Sequence, residues 1–316
     1  MSNISFQDET PNRLVATKVY HYRPQKDAWR HISERQKAQQ DAHPSSLLLI
    51  TWNLDAFSEH AQERVDVALR HLETYVFKCD QGQEPVACCI MFQEVTAESL
   101  SYILEDDWVR RHFAVTPISP TKWPGSSQYG NVTLISRTVL VSRASILSFG
   151  YSNMERGAVV VDVKVTSPKA HNPKEMTLRL INTHLESLPV GARMRQPQLA
   201  VLASLLRRRD EVRGGVIAGD MNAIDPSEHA IPSTLGLQDA WSFPADDESG
   251  HTWGDQPSCE YPPGRLDKIL YVERKAYKID SPKRIGVGLR AIDARGVQLG
   301  WASDHYGLMT PLRVSG

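Results

Sequence analysis

Cysteine is scarce in this sequence, and its spacing follows no known binding pattern. The four cysteines are Cys79, Cys88, Cys89 and Cys259, and two of them are adjacent inside the apolar segment VACCIMF. No pair has the spacing of zinc ligands, and no disulfide framework is indicated. Buried free thiols are typical of a reducing compartment. We therefore expect an intracellular protein, located in the nucleus, the cytoplasm or both.

Long apolar segments and an excess of positive charge are also missing. No segment is long enough to cross a membrane as a helix, and the first residues, MSNISFQDETPNR, lack the apolar stretch of a signal peptide. The formal net charge of −1 excludes a strongly basic coat for nucleic acid. We expect a soluble protein that is not secreted, has no membrane partner and holds any polyanion in a local patch.

Short apolar segments bounded by turn residues dominate the chain from residue 46 onward. Those that predict strands are SLLLITWNL, PVACCIMFQEV, NVTLISR, AVVVDVKV, MTLRLINTHLE, GVIAGDMN, RLDKILYV and HYGLMTPLRV. Before them, RLVATKVYHYRP predicts a single strand, and residues 27–43 predict a short helix or a frayed arm. We expect residues 1–45 to form a partly ordered arm and residues 46–316 to form one domain.

Helical periodicity is limited to a few segments. Apolar residues recur at helical spacing in 59–78 and in 193–213, and a third helix is predicted over 95–105. In 193–213, leucines form one face, and Arg207, Arg208, Arg209 and Arg213 are expected on the other. Because strands outnumber helices and several strands are apolar on both faces, we expect two packed sheets with helices outside, a layered α/β architecture.

Polar residues stand at one end of many predicted strands. They are Asn53 and Asp55, Gln93 and Glu94, Asn182, His184 and Glu186, Asp220 and Asn222, and finally Ser303, Asp304 and His305. Taken singly, each is more commonly a turn residue, a helix-end residue or a satisfied core residue. Strand ends on one side of a sheet can converge on one cleft, so together they favour an oxygen-rich site containing two imidazoles.

These segments resemble a known family. In order, TWN, FQE, NTHLES, GDMN and SDH resemble the signature of the endonuclease/exonuclease/phosphatase superfamily, and they span residues 51 to 307. The resemblance implies a DNase I-like four-layer α/β sandwich, in which two packed sheets are flanked by helices. It also implies cleavage of phosphoesters with Mg²⁺, for which Mn²⁺ is a substitute.

A finer resemblance is to the 5′-tyrosyl-DNA phosphodiesterase branch. It is carried by TWNLD, HLES, MERGAVVV, SDHYGL and the pair Thr252–Trp253. The branch hydrolyses the bond between a topoisomerase tyrosine and a DNA 5′-phosphate. The implied partner is a DNA 5′ end that carries a tyrosyl adduct and is single-stranded or frayed, bound by a monomer. This chain departs from the branch pattern after HLES, where Leu188 and Pro189 replace Thr-Arg.

Alternatives remain open at this stage. Within the same chemistry they are an abasic-site endonuclease, an RNA deadenylase, and an inositol or sphingolipid phosphoesterase. A binding module that has lost the reaction is a different class of protein. Such a module should lack at least one catalytic group, whereas this chain has the whole set.

The resemblance implies that Glu94 is the direct carboxylate ligand of Mg²⁺, with Asn53 close by and Asp304 supporting the metal-bound waters. Hard oxygen donors suit Mg²⁺, which keeps several waters when it is bound. Asp220 is expected to orient or deprotonate the attacking water. Asn222, two residues along an extended chain, is expected beside it, where it would hold the phosphate or that water.

The remaining candidates surround the phosphate. His305 is expected to donate to a non-bridging oxygen and Asp267 to orient that imidazole. His184 is a second phosphate clamp. Tyr129 and Arg156 match branch residues near the phosphate, although a packed aromatic and a surface turn charge are the plain alternatives.

Trp253 lies in the loop-rich stretch 244–264 and is expected to stack on a nucleobase or to anchor its own loop.

Overall fold

The computed structural model describes residues 11–37, 43–79, 82–168, 173–244 and 247–315. The strands in chain order are β1 Arg13–Ala16, β2 Tyr20–Arg23, β3 Ala28–His31, β4 Ser46–Asn53, β5 Cys88–Thr96, β6 Phe113–Thr116, β7 Tyr129–Ser136, β8 Val141–Ser148, β9 Gly157–Thr166, β10 Glu175–His184, β11 Gly215–Asp220, β12 Gln238–Asp239, β13 Asp267–Tyr271, β14 Tyr277–Ile279, β15 Lys283–Ile285, β16 Arg290–Ile292, β17 Gln298–Trp301 and β18 Gly307–Val314. The α-helices are α1 Glu34–Lys37, α2 Ala61–His71, α3 Ala97–Glu105, α4 Asp107–His112, α5 Ala192–Leu206 and α6 Ile231–Thr234, and a π-helical turn, Leu72–Val76, continues α2. None of the helices in these ranges is long and apolar enough to cross a membrane.

Two large sheets form the centre of the protein. The first has the strand order β1-β8-β9-β10-β11-β13-β12, and the second has the order β14-β18-β4-β5-β7-β6-β2-β3 with β15 also paired to β18. Strands β16 and β17 form a separate hairpin. The expected layered α/β class with a DNase I-like arrangement is confirmed.

Each central strand is apolar on both faces because both of its faces are covered. Leu47 and Leu49 of β4 pack between the sheets with Val161 of β9, whereas Ile50 and Trp52 face the layer of α2, α3 and α4. On the other side, apolar residues of α5 cover the outer face of the first sheet. This alternation follows from the two-residue period of a strand, and it explains the continuous apolar segments in the sequence.

The second predicted helix is shorter in the structure than its periodicity suggested. Helix α5 ends at Leu206, so Arg207, Arg208, Arg209 and Arg213 do not form a helical face. The chain turns after Leu206, buries Val212 and enters β11 at Gly215. The expectation for 207–213 was therefore wrong, because this segment has to reverse direction to feed a strand.

The N-terminal arm supplies strands to both sheets. The segment RLVATKVYHYRP was expected to form one strand but forms two, because β1 pairs with β8 of the first sheet and β2 with β6 of the second. Val19, between them, is buried in the core shared by the sheets. Residues 1–10 and 38–42 lie outside the described residues, and the domain boundary at residue 46 stays a prediction.

Lys268 of β13 carries a buried ammonium group beside a cavity that is lined by apolar residues and by the ion pair of Arg195 and Glu228. Its side chain is 1 % exposed, and Nζ donates to the carbonyl of Arg265 at 3.0 Å. It lines a cavity of about 20 Å³ together with Leu199, Met221 and Leu270. Burial, reinforced by the nearby Arg265 guanidinium, lowers the pKa of Lys268 from 10.5 to about 8. Below pH 8 the folded protein therefore holds a charge that burial disfavours.

Replacing Lys268 by methionine is expected to stabilise the protein at pH 7. The depressed pKa costs stability in full below pH 8, and the cost disappears as pH rises from 8 to 10.5, where the unfolded chain binds more protons. At 1.36 kcal/mol per pKa unit the cost is about 3 kcal/mol. Urea unfolding at pH 7 and pH 9.5 measures both effects. Lys278→Met, at an exposed position of β14, is the control and should leave the free energy of unfolding unchanged at both pH values. If the free energy of unfolding of Lys268→Met depended on pH as it does in the unaltered chain, the interpretation would be contradicted.

Candidate active site

Four strand ends of the first sheet form one row of polar residues. In the register of β9, β10, β11 and β13, Gly157 lies opposite His184, His184 opposite Asp220, and Asp220 opposite Asp267. Arg156 directly precedes Gly157 and extends the row. Because neighbouring strands are about 4.8 Å apart, this register alone brings Arg156, His184, Asp220 and Asp267 side by side.

The second sheet contributes Glu94 through a break in its pairing. Asn53 at the end of β4 lies opposite Gln93 of β5, but the register with β7 shifts between Phe92 and Val95. Glu94 occupies this bulge with a φ of 53°, which is unusual for a residue with a side chain. One carboxylate oxygen, Oε2, accepts the Ala56 N–H at 2.8 Å. The other, Oε1, is 3.8 Å from His184 Nδ1, so the bulge turns Glu94 toward the first sheet.

Asp220 is at the centre of the contacts between the two sheets. Its Oδ2 accepts from Asn53 Nδ2 at 3.1 Å and lies 3.4 Å from His184 Nε2 and 3.8 Å from His305 Nε2. Burial, with help from the negative charge of Asp267, raises the pKa of Asp220 to about 7 against the opposing charge of His305. A carboxylate with a pKa near the working pH is suited to accept a proton from water.

His305 and Asp267 form a buried ion pair. His305 Nδ1 is 2.7 Å from Asp267 Oδ2, and Asp267 is completely buried. Burial opposes the charged imidazole, but the carboxylates of Asp267 and Asp304 overcome it and raise the pKa of His305 well above 6.5. Since Nδ1 binds the carboxylate, Nε2 is free to donate a charge-assisted hydrogen bond toward Asp220 and the space beside it.

His184 is neutral, and its tautomer follows from its neighbour. Burial, then the positive charges of Arg156 and His305, lower the pKa of His184 well below 6.5. Arg156 Nη1 lies 3.2 Å from His184 Nδ1. A guanidinium only donates, so Nδ1 is the acceptor and the proton is on Nε2, which faces Asp220.

Arg156 is a buried cation whose hydrogen bonds go to neutral side chains. Only 6 % of the residue is exposed, and Nη2 donates to Ser187 Oγ at 2.6 Å and to the sulfur of Met154. Among the described residues no carboxylate pairs with Arg156, and its Nε has no hydrogen-bond partner. A buried charge is costly unless it is compensated. This guanidinium is therefore suited to receive an anion, and its planar fork fits a phosphate.

Two carboxylates, Glu94 and Asp304, are the candidate ligands for a divalent metal ion. Burial raises the pKa of Asp304, and the negative charges of Asp55 and Glu94 raise it further despite the opposing imidazolium of His305. Glu94 and Asp304 would hold a divalent cation, whose positive charge would relieve that repulsion. The described residues contain no cluster of three His, Cys, Asp or Glu side chains that could enclose a metal. Glu94 and Asp304 are hard oxygen donors of the kind that suits Mg²⁺, and the identity of the metal stays a prediction.

The two candidate amides both contact Asp220, as expected, but Asn222 does so through a turn. Asn53 donates to Asp220, while its Oδ1 accepts the Asp55 N–H at 2.9 Å. Asn222 lies beyond the end of β11 with a φ of 48°, so the argument from an extended chain was wrong. Its backbone N–H binds Asp220 Oδ1 at 2.8 Å, and its Nδ2 donates to the Leu185 carbonyl. Their roles at a metal or phosphate stay predictions.

Aromatic residues flank the polar centre on two sides. The Tyr129 ring lies 6.5 Å from the His184 ring and 5.3 Å from the Arg156 guanidinium. On the other side, Trp253 Nε1 donates to Asp304 Oδ2 at 3.0 Å, and its ring is 6.5 Å from that of Tyr261. The structure therefore brings both predicted aromatic residues to the site, and Trp253 also orients a candidate metal-site carboxylate.

Some polar strand-end residues do not reach the site. Gln93 and Asn182 are buried and join the sheets to each other, with Gln93 Nε2 donating to Asn182 Oδ1 at 2.7 Å. Glu186 accepts the N–H groups of Asn153 and Met154 at 2.9 and 3.0 Å, and so holds the loop before Arg156. The expected convergence was wrong for these three, because Gln93 and Asn182 bind each other between the sheets, and Glu186 lies beyond the end of β10 and binds the loop at 153–154.

Gly219, just before Asp220, is required by the neighbouring strand. Its φ is 143°, and a Cβ there would stand 1.8 Å from the carbonyl oxygen of Thr183. A side chain at this position would therefore clash with β10. It lets β11 approach β10 closely, and this approach sets the distance between Asp220 and His184.

Comparison with known proteins identifies the class. The chain matches the Endonuclease/Exonuclease/phosphatase family over residues 50–305, and it belongs to that family of hydrolases. A comparison with curated protein sequences gives no match.

Solved structures share the fold at low sequence identity. One is TDP2 from D. rerio complexed with single strand DNA product, with a TM-score of 0.64 and 18% identity over 85% of this chain and 99% of that chain. TDP2 from C. elegans has a TM-score of 0.61 and 18% identity over 87% of this chain and 78% of that chain. Beta toxin from Staphylococcus aureus has a TM-score of 0.59 and 16% identity over 84% of this chain and 99% of that chain.

Proposed function

We propose that this chain is a Mg²⁺-dependent phosphodiesterase that hydrolyses 5′-phosphotyrosyl-DNA linkages of the kind left by a topoisomerase. The observation that carries the proposal is the buried Arg156 guanidinium, which has no acidic partner among the described residues and lies 3.2 Å from His184 beside Asp220. The Arg156 cation and the protonated imidazole of His305 both lie close to the carboxylate of Asp220 or to its neighbour His184. This arrangement suits hydrolysis of an anionic ester. The location of the chain inside the cell, in the nucleus or the cytoplasm, and its monomeric state stay predictions.

The residues divide the work by charge. Arg156 and the Nε2–H of His184 bind the non-bridging oxygens of the phosphate and orient it. Asp220, with its pKa of about 7, accepts the proton of the attacking water. His305, kept protonated by Asp267, donates to a phosphate oxygen as negative charge develops there. Glu94 and Asp304, with Asn53 nearby, would hold Mg²⁺, which when bound offsets negative charge on the reacting oxygens.

A nucleic-acid end with a phenol leaving group is the substrate that the surroundings favour. Tyr129 and Trp253 flank the polar centre, and aromatic side chains stack on bases without regard to sequence. The net charge of −1 favours a short strand end over a long duplex footprint. The fold shared with TDP2 structures, one of them complexed with single strand DNA product, supports the same substrate class.

The direct test uses a 5′-phosphotyrosyl oligonucleotide. The purified chain with Mg²⁺ is expected to release tyrosine and leave a 5′-phosphate, to stop when EDTA removes the metal, and to recover with Mg²⁺ or Mn²⁺. Chromatography of the released tyrosine measures the rate. The substrate assignment would be wrong if no tyrosine were released while an abasic duplex, poly(A), or an inositol or sphingolipid phosphoester was cleaved rapidly. That result would still support phosphoester hydrolysis.

A further inference from the structure

Phe57 is an apolar ring exposed beside the site. It follows the TWNLD segment, and 78 % of it is exposed to solvent. Single exposed apolar residues are common on protein surfaces and need no explanation by themselves. The position of Phe57 is different because its ring lies 5.5 Å from that of Tyr129 in an edge-to-face arrangement. Tyr129 in turn contacts Arg156 and His184. Phe57 thus extends an aromatic surface from the phosphate site outward.

The loop that carries Phe57 is held in place from both ends. Asp55 has a φ of 55°, and its Oδ1 accepts the N–H groups of Phe57 and Ser58 at 3.0 and 3.2 Å. Arg64, which is buried, donates to the carbonyls of Leu54, Asp55 and Ser58. These bonds fix the backbone on both sides of the ring, so its exposure is built into the fold.

The same loop is tied to the candidate metal ligand. Ala56, next to Phe57, donates its N–H to Glu94 Oε2. Phe57 is therefore one residue from a group bound to Glu94, and its ring contacts a residue that packs on Arg156. A ring preorganised in this way loses little conformational entropy when a ligand packs on it.

We propose that Phe57 binds, by stacking, a planar aromatic group that the substrate carries next to the scissile phosphate. With the proposed substrate, on which this inference rests, that group is either the base of the 5′-terminal nucleotide or the phenol ring of the tyrosyl leaving group. Stacking on an exposed aromatic side chain serves both because each has a π-face. Phe57 would then set substrate preference without touching the reacting atoms.

The test compares Phe57→Ala with Phe57→Trp and with Phe243→Ala. Phe243 is the matched control, since it is also exposed but packs on Trp241 at 5.2 Å. Stacking predicts that Phe57→Ala raises KM about tenfold with kcat nearly unchanged. Phe57→Trp should restore KM, and Phe243→Ala should match the unaltered chain.

Three substrates and one metal-free binding measurement show whether Phe57 stacks on the 5′-terminal base or on the phenol ring. The substrates are the tyrosyl oligonucleotide, its form with a 5′-terminal abasic residue and its alkyl ester. If the base is the stacking partner, Phe57→Ala should not raise KM for a substrate whose 5′-terminal residue is abasic. The variant should also bind a fluorescent 5′-phosphorylated oligonucleotide about tenfold more weakly in EDTA. If the phenol is the partner, the effect disappears when an alkyl ester replaces the tyrosyl group, and product binding is unchanged.

Failures of the two proposals differ. Tyrosine release by the unaltered chain together with unchanged KM and binding in Phe57→Ala overturns the role of Phe57 alone. Absence of tyrosine release overturns the proposed function, and metal-free binding then decides on Phe57: its role is overturned if Phe57→Ala and Phe243→Ala bind both the 5′-phosphorylated and the 5′-phosphotyrosyl oligonucleotide with equal affinity. An equal rise in KM in Phe57→Ala and Phe243→Ala on every substrate also overturns the role of Phe57.

Discussion

Replacing Asp220 by asparagine is expected to lower kcat about 10²- to 10⁴-fold, the range of a lost general base. The amide keeps the shape and the acceptor for the Asn222 N–H but cannot take a proton from water. The fold should not suffer. Because the pKa of Asp220 is raised to about 7, ionising it costs stability as pH rises from 3.8 through 7. Without metal, this cost is absent from the variant at pH 8, but the amide nitrogen that replaces Oδ2 faces the Asn53 Nδ2 donor, so the two effects oppose each other and the melting temperature should change little.

Asp225→Asn is the matched control for this substitution. Asp225 caps the 3₁₀ turn Pro226–Ala230 and accepts the Ser227 N–H at 2.8 Å. Asparagine caps as well as aspartate, so both turnover and melting temperature should stay close to those of the unaltered chain. Stopped-flow turnover and thermal unfolding on the three proteins complete the comparison. An Asp220→Asn variant that retained most of its activity would show that another group activates the water.

The second large effect is expected from Asp267→Asn. Asp267 is completely buried, 2.7 Å from His305, and its charge is the main cause of the raised His305 pKa. With asparagine there, the largest contribution that raises the pKa of His305 is lost, so this pKa falls. Loss of one charged donor at the transition state lowers kcat by about 10²- to 10³-fold.

The pH profile gives this prediction its sharpest form. In the unaltered chain, Asp220 is ionised above about pH 7 while His305 is still protonated, so kcat/KM should rise through pH 7 to a plateau. In Asp267→Asn, the pKa of His305 falls, so the pH window in which Asp220 is ionised and His305 is protonated narrows from its alkaline side. The plateau should be lower and should end at a lower pH than in the unaltered chain. A plateau of unchanged width, with ¹⁵N NMR showing an unchanged His305 pKa, would contradict the proposed role of Asp267.

Local patterns in the sequence were sufficient for the architecture. The apolar segments from 46 onward, the helical spacing in 59–78 and the turn residues between them predicted strands and helices that the structure contains. Strand β8 was missed because a register irregularity between Val141 and Arg143 interrupts its alternation. Strand β1 was merged with β2 because no local signal marks the crossing between two sheets.

The positions of the candidate site residues were predicted less reliably than the strands and helices. The segments ending at His184 and Asp220 pointed to one end of a sheet, and the register of β10 and β11 places those two residues opposite each other. Gln93 and Asn182 had the same signal but point between the sheets. The catalytic and binding roles assigned from the resemblance stay predictions that the experiments above address.

The sequence by itself determined the class of fold, the family signature and the strand ends from which the site is built. This information is local: a two-residue period and a turn residue can be read without knowing the neighbours of a strand. Only the tertiary structure decided that Glu94 turns into the site through a bulge, that Arg156 is buried without an acidic partner among the described residues, and that Phe57 stays exposed on Tyr129. These features depend on backbone dihedrals and on contacts between distant segments, which hydrophobic periodicity does not encode.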